Sequence, residues 1–316
     1  MSAYRTLAPA KVNLGLFLGP QRAGDKRHEL VSVMQSISLA DELRLTLAPA
    51  GAVADEVLCP AVPGPRTENL AARALRAFRA ATGWDAPPLR LSIRKRIPVA
   101  AGLGGGSADA AAALRLARAA SGLGDQQLLR ELGADLGADV PAQVSPGRWL
   151  AAGAGERLQP LPDPYPPLGL LVLPLAAELS TADVYAEADE LGLARERPEL
   201  DRRRTQLRIA LEIGAPVPAA TELLHNDLQP AAISLCPEIA DLLRRVREAG
   251  AEEALVSGSG PTVIGLFHRA NASGRVQRAA AELIDRVPEP IPATSVDAEF
   301  ARAVEVVEPD PDAGSA

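Results

Sequence analysis

The sequence contains few of the residues that build disulfide frameworks, metal centres and aromatic cores. Among its 316 residues are 2 cysteines and 3 histidines, and aromatic residues make up 3%. Cys59 and Cys236 lie far apart and have no partner at a ligand spacing, and His28, His225 and His268 are equally scattered. This distribution predicts neither a disulfide framework nor a zinc site.

The chain also lacks the features of membrane proteins and nucleic-acid binding proteins. Its N-terminus has no apolar signal-peptide core, and its longest apolar run, Leu168 to Ala177, is too short to span a bilayer. The net charge of −7 argues against a general affinity for nucleic acids or anionic membranes. We therefore expect a cytoplasmic protein with no nucleic-acid partner and no membrane partner.

Lysine is scarce too, although positive charge is not. Lys and Arg together number 33, yet the only lysines are Lys11, Lys26 and Lys95. Lysine presents a compact point charge whose pKa its surroundings can move, and arginine does not replace it in every role. Each of the three lysines is therefore a candidate for a specific function.

Glycine, in contrast, is concentrated in one stretch. Residues 98–113 read PVAAGLGGGSADAAAA and follow an alternating segment, Leu89 to Arg94, that predicts a strand. Residues 107–120 are rich in Ala, Leu and Arg and predict a helix with Ser107 as its N-cap. A glycine loop between a strand and a helix start presents backbone N–H groups to an anion, which predicts a phosphate-binding loop. A flexible linker is the alternative, but linkers rarely sit tightly between a strand and a helix.

Two common nucleotide-binding motifs do not fit this stretch. A Walker loop ends in Gly-Lys-Ser or Gly-Lys-Thr, and no lysine follows these glycines. A dinucleotide-binding pattern that starts at Gly102 requires glycine at position 107, where the chain has Ser107.

The pattern Pro-x-x-x-Gly-Leu-Gly-Gly-Gly-Ser-Ala-Asp-Ala-Ala resembles the phosphate loop of the GHMP kinases, small-molecule kinases that use ATP. Its triple glycine is most similar to the branch of that family that acts on diphosphocytidyl-methylerythritol in non-mevalonate isoprenoid synthesis. The resemblance implies that ATP binds to Pro98, Gly102, Leu103, Gly104, Gly105, Gly106 and Ser107.

Two further motifs point to a catalytic pair. Residues 6–18 alternate as a strand does, with Lys11 and Asn13 on one face. Alone, this pair is simply two exposed polar residues, but Pro-Ala-Lys-Val-Asn-Leu resembles the opening motif of the family. Likewise Asp139 in Gly-Ala-Asp-Val-Pro is either a turn residue or, by the resemblance, the catalytic aspartate. The resemblance implies that Asp139 orients the acceptor hydroxyl as general base, beside Lys11, with Asn13 in the substrate pocket.

The acceptor-side motifs match with one departure. Where the family has Asp-Gly-Tyr-His or Asp-Gly-Phe-His, this chain has Lys26 and Arg27 in the glycine and aromatic places, followed by His28. Arginine is planar and can stack on a base in place of the aromatic ring. Thr181 and Tyr185 match a Ser-Thr segment with an aromatic residue four positions later. The resemblance implies that Arg27, His28, Thr181 and Tyr185 bind the cytidylyl substrate.

Two positions resemble the adenine side of the family's ATP site. Lys95 stands three residues before Pro98, and Asn69 lies in the first turn of a helix expected to run from an N-cap at Thr67 to Ala81. Asn69 is, as an alternative, only a capping residue. A third motif, ALVSGSGPTVIGLF, predicts a strand, a turn and a strand. The resemblance implies that its turn supports the phosphate loop through Ser257, Gly258, Ser259 and Gly260.

The resemblance implies an α+β fold in two halves. We expect a GHMP-kinase-like nucleotide-binding domain of helices on a mixed sheet at 1–160, a ferredoxin-like domain at 161–307 and a disordered tail at 308–316. ATP and Mg²⁺ are the expected cofactors, with no protein metal ligand assigned. The expected partner is a cytidylyl sugar-alcohol diphosphate, phosphorylated on its C2 hydroxyl by a monomer or homodimer. Another GHMP kinase with a different alcohol, or a non-catalytic nucleotide-binding protein, remains an alternative.

Overall fold

The computed structural model describes residues 2–62, 65, 67–177, 179–212, 223–284 and 288–306. The strands are β1 Ala3–Gln21, β2 His28–Leu47, β3 Glu56–Leu58, β4 Leu89–Arg94, β5 Arg148–Gly153, β6 Arg157–Leu161, β7 Gly169–Leu173, β8 Glu253–Val256, β9 Val263–Phe267, β10 Ile291–Thr294 and β11 Val304–Val306. The helices are α1 Leu70–Thr82, α2 Gly105–Ser121, α3 Gln126–Leu136, α4 Val140–Val144, α5 Thr181–Glu190, α6 Arg197–Glu212, α7 Gln229–Leu235, α8 Glu238–Glu248 and α9 Ala272–Leu283. The predicted tail, 308–316, lies outside the described residues.

The first sheet is organised around the long strand β2. One edge of β2 pairs with β1 along most of its length, and its other edge divides between β5 at residues 30–35 and β4 at residues 42–47. All three pairings are antiparallel, whereas β3 joins β4 in parallel. The sheet is therefore mixed, as predicted. The sequence pattern at 31–39 and 43–47 predicts two strands, but β2 continues between them because β1 supplies partners up to Leu45.

Strand β1 changes register immediately before Lys11. Pro9 pairs with Ala40, but Lys11 pairs with Ser36, so the two strands are offset at this point. Such a bulge bends a strand and re-aims its side chains. The N–H of Lys11 donates a hydrogen bond of 3.0 Å to the carbonyl of Leu103, which lies in the glycine loop. The bulge thus ties the lysine strand to the loop.

The helices α1 and α2 pack against this sheet, and α3 packs against both of them. Six of the nine buried residues of α2 are alanine, which lets this helix pack closely on β1 and β2. Two predicted N-caps are wrong. Helix α1 begins after Asn69 rather than Thr67, because the Asn69 side chain accepts from Ala71 N at 2.9 Å. Helix α2 begins at Gly105, so Ser107 lies inside its first turn.

The second sheet contains four strands in the order β10, β7, β9, β8, all antiparallel. In chain order this is 4-1-3-2, with helices between the first and second strands and between the third and fourth. That is the order of a ferredoxin-like sandwich, and it confirms the predicted class of the second half. Residues on β1 and β2 share one hydrophobic core with residues on β7 and β9, which joins the two halves.

The last described residues return to the first sheet. Strand β11 pairs with the start of β1, where Ala3 faces Val306. Thr6 also donates through Oγ1 to the carbonyl of Ala301 at 2.6 Å. The boundaries 1–160 and 161–307 stay a prediction, and this return shows that the chain crosses back after the second sheet. The sequence pattern favours a last strand at 296–300 or 304–307, and the structure has β11 at the second position. The pattern does not predict β10.

No helix in the described part of the chain has both the length and the apolar character needed to cross a membrane.

Candidate active site

A cavity of about 790 Å³ lies where the glycine loop, β1 and β2 face α5 and the turn after β8. Twelve of the residues predicted for the site line it, namely Lys11, Asn13, Arg27, His28, Gly102, Gly104, Ser107, Asp139, Thr181, Tyr185, Gly258 and Ser259. Eight do not line it, namely Asn69, Lys95, Pro98, Leu103, Gly105, Gly106, Ser257 and Gly260. The motifs therefore converge on one cavity, partly as its wall and partly as the layer behind that wall.

Lys11 and Asp139 meet in this cavity. Lys11 Nζ lies 3.5 Å from Asp139 Oδ2 and donates to Asn13 Oδ1 at 2.9 Å. The lysine side chain is only 10% exposed, whereas that of Asp139 is 37% exposed. A nearly buried cation thus faces a carboxylate that an incoming group can reach. Asp139 stands directly before the short helix α4. Pro141 lies in the first turn of this helix, where its missing backbone N–H costs no helical hydrogen bond.

A chain of hydrogen bonds fixes the lysine. Asn13 Nδ2 donates a hydrogen bond to Ser32 Oγ at 2.7 Å, and Ser32 Oγ in turn donates to the carbonyl of Gly15 at 2.8 Å. Lys11, Asn13 and Ser32 are all buried. The lysine ammonium is thus held by Asn13 on β1, and Asn13 is held in turn by Ser32 on β2. Ser32 carries no sequence signal, because its role depends on the pairing of β2 with β1, which the pattern of a single strand does not reveal.

A second set of bonds fixes the aspartate relative to the lysine strand. The guanidinium of Arg115 on α2 donates to the carbonyls of Leu7, Gln143 and Ala301. The side chain of Gln143, on the helix that follows Asp139, donates to Pro9 O at 3.2 Å. These contacts connect residues just before Lys11 with residues just after Asp139. Neither Arg115 nor Gln143 carries a sequence signal, since each is one of many similar residues.

The glycine loop is shaped by left-handed backbone at Gly102 and Gly104, with φ of 73° and 68°. A Cβ on Gly104 would lie 3.0 Å from Lys11 Cγ, so a side chain there would displace the catalytic lysine candidate. Gly104 is also the residue before α2, and no side chain in the described part of the chain caps that helix. The first N–H groups of α2 are therefore available to an anion.

The turn after β8 supports this loop. Thr262 Oγ1 donates to the carbonyl of Ala101 at 2.6 Å, and a Cβ on Gly102 would lie only 2.7 Å from the carbonyl oxygen of Gly260. Asn226 holds the turn from behind by donating to the carbonyl of Gly258 at 2.8 Å. The loop and the turn thus touch backbone to backbone, which leaves no room for side chains between them.

Lys95 lies behind the wall of the cavity. Its ammonium pairs with Asp41 and, at 2.8 Å, with Asp109 Oδ2. All three side chains are buried, and Oδ1 of Asp109 has no hydrogen-bond partner within the described residues. Burial raises the pKa of Asp109 to about 7, against the opposing effect of the Lys95 charge. A Cβ on Gly105 would lie 3.2 Å from Lys95 Nζ, so this charged cluster sits directly beneath the first turn of α2.

The other end of the cavity is lined by polar and aromatic side chains. The rings of His28 and Tyr185 lie 5.5 Å apart between centroids, at 44°. Burial raises the pKa of Tyr185, and the nearby charge of Asp139 adds to that effect. Arg27 donates to the carbonyl of Ala154 at 2.7 Å, so its guanidinium is anchored to the turn between β5 and β6. Thr181 Oγ1 lies 3.1 Å from Ser259 Oγ, which closes this end against the supporting turn.

No group of three His, Cys, Asp or Glu side chains stands ready to hold a metal ion anywhere in the described ranges.

The chain is similar to known proteins in both sequence and structure. The sequence models "GHMP kinases N terminal domain" and "GHMP kinases C terminal" match residues 69–147 and 211–285. A 4-diphosphocytidyl-2-C-methyl-D-erythritol kinase of Anaeromyxobacter sp. (strain Fw109-5) is 40% identical over 301 residues, which cover 92% of each chain. The same-named kinase of Streptomyces coelicolor is 44% identical over 264 residues, or 80% of this chain and 84% of that relative.

Solved structures agree with these relatives. The crystal structure of a 4-(cytidine 5'-diphospho)-2C-methyl-D-erythritol kinase superposes with a TM-score of 0.72 at 33% identity, covering 92% of this chain and 98% of that one. A homoserine kinase from Cytophaga hutchinsonii superposes with a TM-score of 0.69 at 15% identity, covering 96% and 98% of the two chains. The latter shares the fold.

Proposed function

The chain belongs to the 4-diphosphocytidyl-2-C-methyl-D-erythritol kinases of the GHMP kinase family, and we propose that Lys11 and Asp139 form its catalytic centre. The reaction transfers the γ-phosphoryl group of ATP to the C2 hydroxyl of the cytidylyl alcohol. The observation that carries the residue assignment is the approach of Lys11 Nζ to within 3.5 Å of Asp139 Oδ2, at the wall of the cavity next to the glycine loop.

The nucleotide phosphates are placed against the start of α2. Gly102 and Gly104 remove side chains from the loop, and the uncapped N–H groups of the helix supply donors together with the positive end of the helix dipole. Phosphoryl transfer needs little covalent chemistry from the protein and depends on positioning and charge compensation. Lys11 lies beside this loop and offers its charge to the phosphoryl group during transfer.

Asp139 is the acceptor-side group. Its exposed carboxylate accepts the hydrogen of the attacking hydroxyl, which orients the oxygen lone pair towards the phosphorus. The fixed position of both groups, through Asn13 on one side and Arg115 on the other, keeps the base and the cation together without a further rearrangement.

Mg²⁺ completes the proposal. Oxygen ligands suit this ion, which commonly binds through nucleotide phosphates and only one or two protein oxygens. The hydroxyl of Ser107, in the first turn of α2, lines the cavity and fits that requirement. The bound ion would neutralise charge on the phosphates. Asn69 and Lys95 are proposed for the adenine side. The side-chain oxygen Oδ1 of Asn69 also caps α1, and the Lys95 ammonium also makes two ion pairs.

The cytidylyl group is placed at the opposite end, between Tyr185 and Arg27 and next to His28. Tyr185 offers a ring face, and Arg27 a planar guanidinium that its bond to Ala154 holds in place. Thr181 and Asn13 line the same cavity. A cytoplasmic location, and a monomeric or homodimeric state, stay predictions.

A coupled ADP-release assay with ATP, Mg²⁺ and the cytidylyl alcohol tests the function. We expect ADP release that depends on the cytidylyl alcohol, and loss of that release when the alcohol is omitted. A panel of other alcohols, homoserine and mevalonate among them, is assayed in parallel because Lys26 and Arg27 depart from the family pattern. Turnover of one of these alcohols, with none of the cytidylyl substrate, would assign the chain to a different acceptor.

A further inference from the structure

Three side chains at the acceptor end of the cavity form a closed polar group, which we call the base-end trio. They are Gln21 at the end of β1, His28 at the start of β2 and Asp189 near the end of α5. Gln21 Nε2 lies 2.8 Å from Asp189 Oδ2 and 3.3 Å from His28 Nε2. His28 Nε2 is also 3.1 Å from Asp189 Oδ1. Only His28 was expected at this site, because Gln21 and Asp189 match no motif.

The hydrogens in this group can be assigned from its partners. His28 Nδ1 lies 2.9 Å from the carbonyl of Gly19, which only accepts, so Nδ1 carries a hydrogen. Nε2 then faces the Asp189 carboxylate at 3.1 Å and the Gln21 amide nitrogen at 3.3 Å. The carboxylate of Asp189 is an acceptor, and it receives one hydrogen of the Gln21 amide at 2.8 Å.

This arrangement leaves acceptors in excess. A carboxylate offers about four lone-pair sites, and the Asp189 side chain is 42% exposed on the cavity side of α5. Its neighbours in the trio are the NH₂ group of Gln21 and Nε2 of His28, which do not fill those sites. The next group to enter this end of the cavity meets acceptors and is favoured when it brings hydrogens.

The cytosine base matches that demand. Its exocyclic amine is a planar NH₂ group, as the Gln21 amide is, whereas uracil presents a carbonyl oxygen at the same position. We propose that Asp189 is a specificity-determining residue, whose carboxylate selects an aminopyrimidine over an oxopyrimidine. The amide of Gln21 takes the place of the base amine in the free enzyme. This inference rests on the proposed function and adds to it the residue that reads the base.

A purely structural role for Asp189 is the competing interpretation. Asp189 also orients His28 and Gln21, so its loss could weaken binding of any pyrimidine. The two interpretations differ in one quantity, which is the ratio of kcat/KM for the cytidylyl alcohol to kcat/KM for its uridylyl analogue. If Asp189 hydrogen-bonds to the base amine, replacing it changes that ratio. If Asp189 only orients its neighbours, replacing it lowers both kcat/KM values together.

The test measures this ratio in the wild type and in Asp189→Asn, which keeps the shape but offers an amide. A site built to hydrogen-bond a group strongly rejects the analogue that lacks it, so we expect the ratio to fall about 10- to 100-fold, with uridylyl turnover rising. KM for ATP should not change. Glu190→Gln is the matched control, because this neighbouring acid on α5 is exposed and does not line the cavity. Asp189→Ala, which offers no hydrogen at all, should also lower the ratio.

Gln21→Ala provides the complementary measurement. Since the Gln21 amide only substitutes for the base amine, its removal should leave the ratio within about 3-fold of the wild type. Equal losses for both substrates in Asp189→Asn, or an unchanged ratio, would overturn the inference. A wild type that phosphorylates neither pyrimidine substrate would instead reject the proposed function, and the wild-type assay alone reveals that case.

Discussion

The two ends of the cavity are built in different ways. At the phosphate end, the surface is backbone: Gly102 and Gly104 turn through left-handed conformations and the start of α2 presents its N–H groups. At the acceptor end, the surface is made of side chains from β1, β2 and α5. Some ion pairs near this end include exposed carboxylates, such as the pairs of Arg22 with Asp25 and with Glu156 on a neighbouring turn.

This difference explains which end keeps to the family pattern. A backbone surface is encoded by the absence of side chains, so almost any replacement of Gly102 meets the carbonyl of Gly260. A side-chain surface needs only a suitable group at a suitable place, and a different residue can fill it. The departure at Lys26 and Arg27 falls at the acceptor end, where the resemblance puts the Arg27 guanidinium in the place of an aromatic ring.

The largest expected effect lies between the two ends. Asp139→Ala should lower kcat by about 10²- to 10⁴-fold, the usual contribution of a positioned general base. KM for ATP should change little, because the nucleotide is held by the glycine loop. Steady-state kinetics with each substrate varied in turn measures both values. Asp135→Ala, an exposed acid on α3, is the control. A near-normal kcat would remove Asp139 from the mechanism.

A glycine pair tests the phosphate end. Gly102→Ala places a side chain in a left-handed conformation, which costs about 1–2 kcal/mol, and puts Cβ 2.7 Å from Gly260 O. The overlap costs roughly a further 1–3 kcal/mol. We expect lower stability in urea and a higher KM for ATP. Gly106→Ala is the matched control for stability, since its Cβ would make an ordinary 3.5 Å contact with Leu70. Equal stability of the two variants would contradict the backbone-to-backbone contact.

Two substitutions at the acceptor end should have smaller effects. Stacking of a base on an aromatic ring contributes about 1–3 kcal/mol, so Tyr185→Ala should raise KM for the cytidylyl substrate roughly 10- to 100-fold. Arg27→Ala should do the same more weakly, and Arg27→Tyr should restore or improve binding. KM for ATP should stay constant in all three. If neither alanine variant alters the acceptor KM, the cytosine site is misplaced.

The smallest effect concerns the charges beneath the phosphate end. Because burial raises the pKa of Asp109 from 3.8 to about 7, the folded chain retains a proton that the unfolded chain has lost between these values. The stability from this group is present below pH 4 and is lost as the pH rises towards 7. Chemical denaturation should show a decline of at most about 1.4 kcal/mol from pH 6 to pH 7. Asp109→Asn should flatten this decline, whereas Asp135→Asn should not. An unchanged slope in Asp109→Asn would assign the titration elsewhere.

Much of the fold could be predicted because its signals are local. Periodicity and turn residues alone predict the strand at 89–94, a hairpin at 148–159 and an amphipathic helix at 237–249. The structure has β4, the β5–β6 hairpin and α8 at these positions. The N-caps could not be fixed in this way, since Thr67 and Asn69 are both good capping residues and only the backbone path decides between them. The pattern of Ile291–Thr294, with a proline inside, does not read as a strand, but an edge strand tolerates it.

In the candidate site, too, the residues with a local sequence signal could be predicted and the others could not. The motif residues were predicted because each motif is contiguous. The members that support them were not, because Ser32, Gln143 and Asp189 acquire their roles only when distant segments meet. Lys95 shows the converse case, since the resemblance implies an adenine-side role for it, while its ammonium faces Asp41 and Asp109 rather than the cavity.

The pairing of β11 with β1 sets an order of events during synthesis. Residues 3–5 leave the ribosome well before their partners at 304–306, which are made about three hundred residues later. Until then one edge of the first sheet has free backbone groups, and such edges pair readily with other chains. A nascent chain that stops before residue 304 can complete its second sheet and still carry this open edge. Ribosome-arrested chains of increasing length should therefore lose their tendency to associate only when β11 emerges.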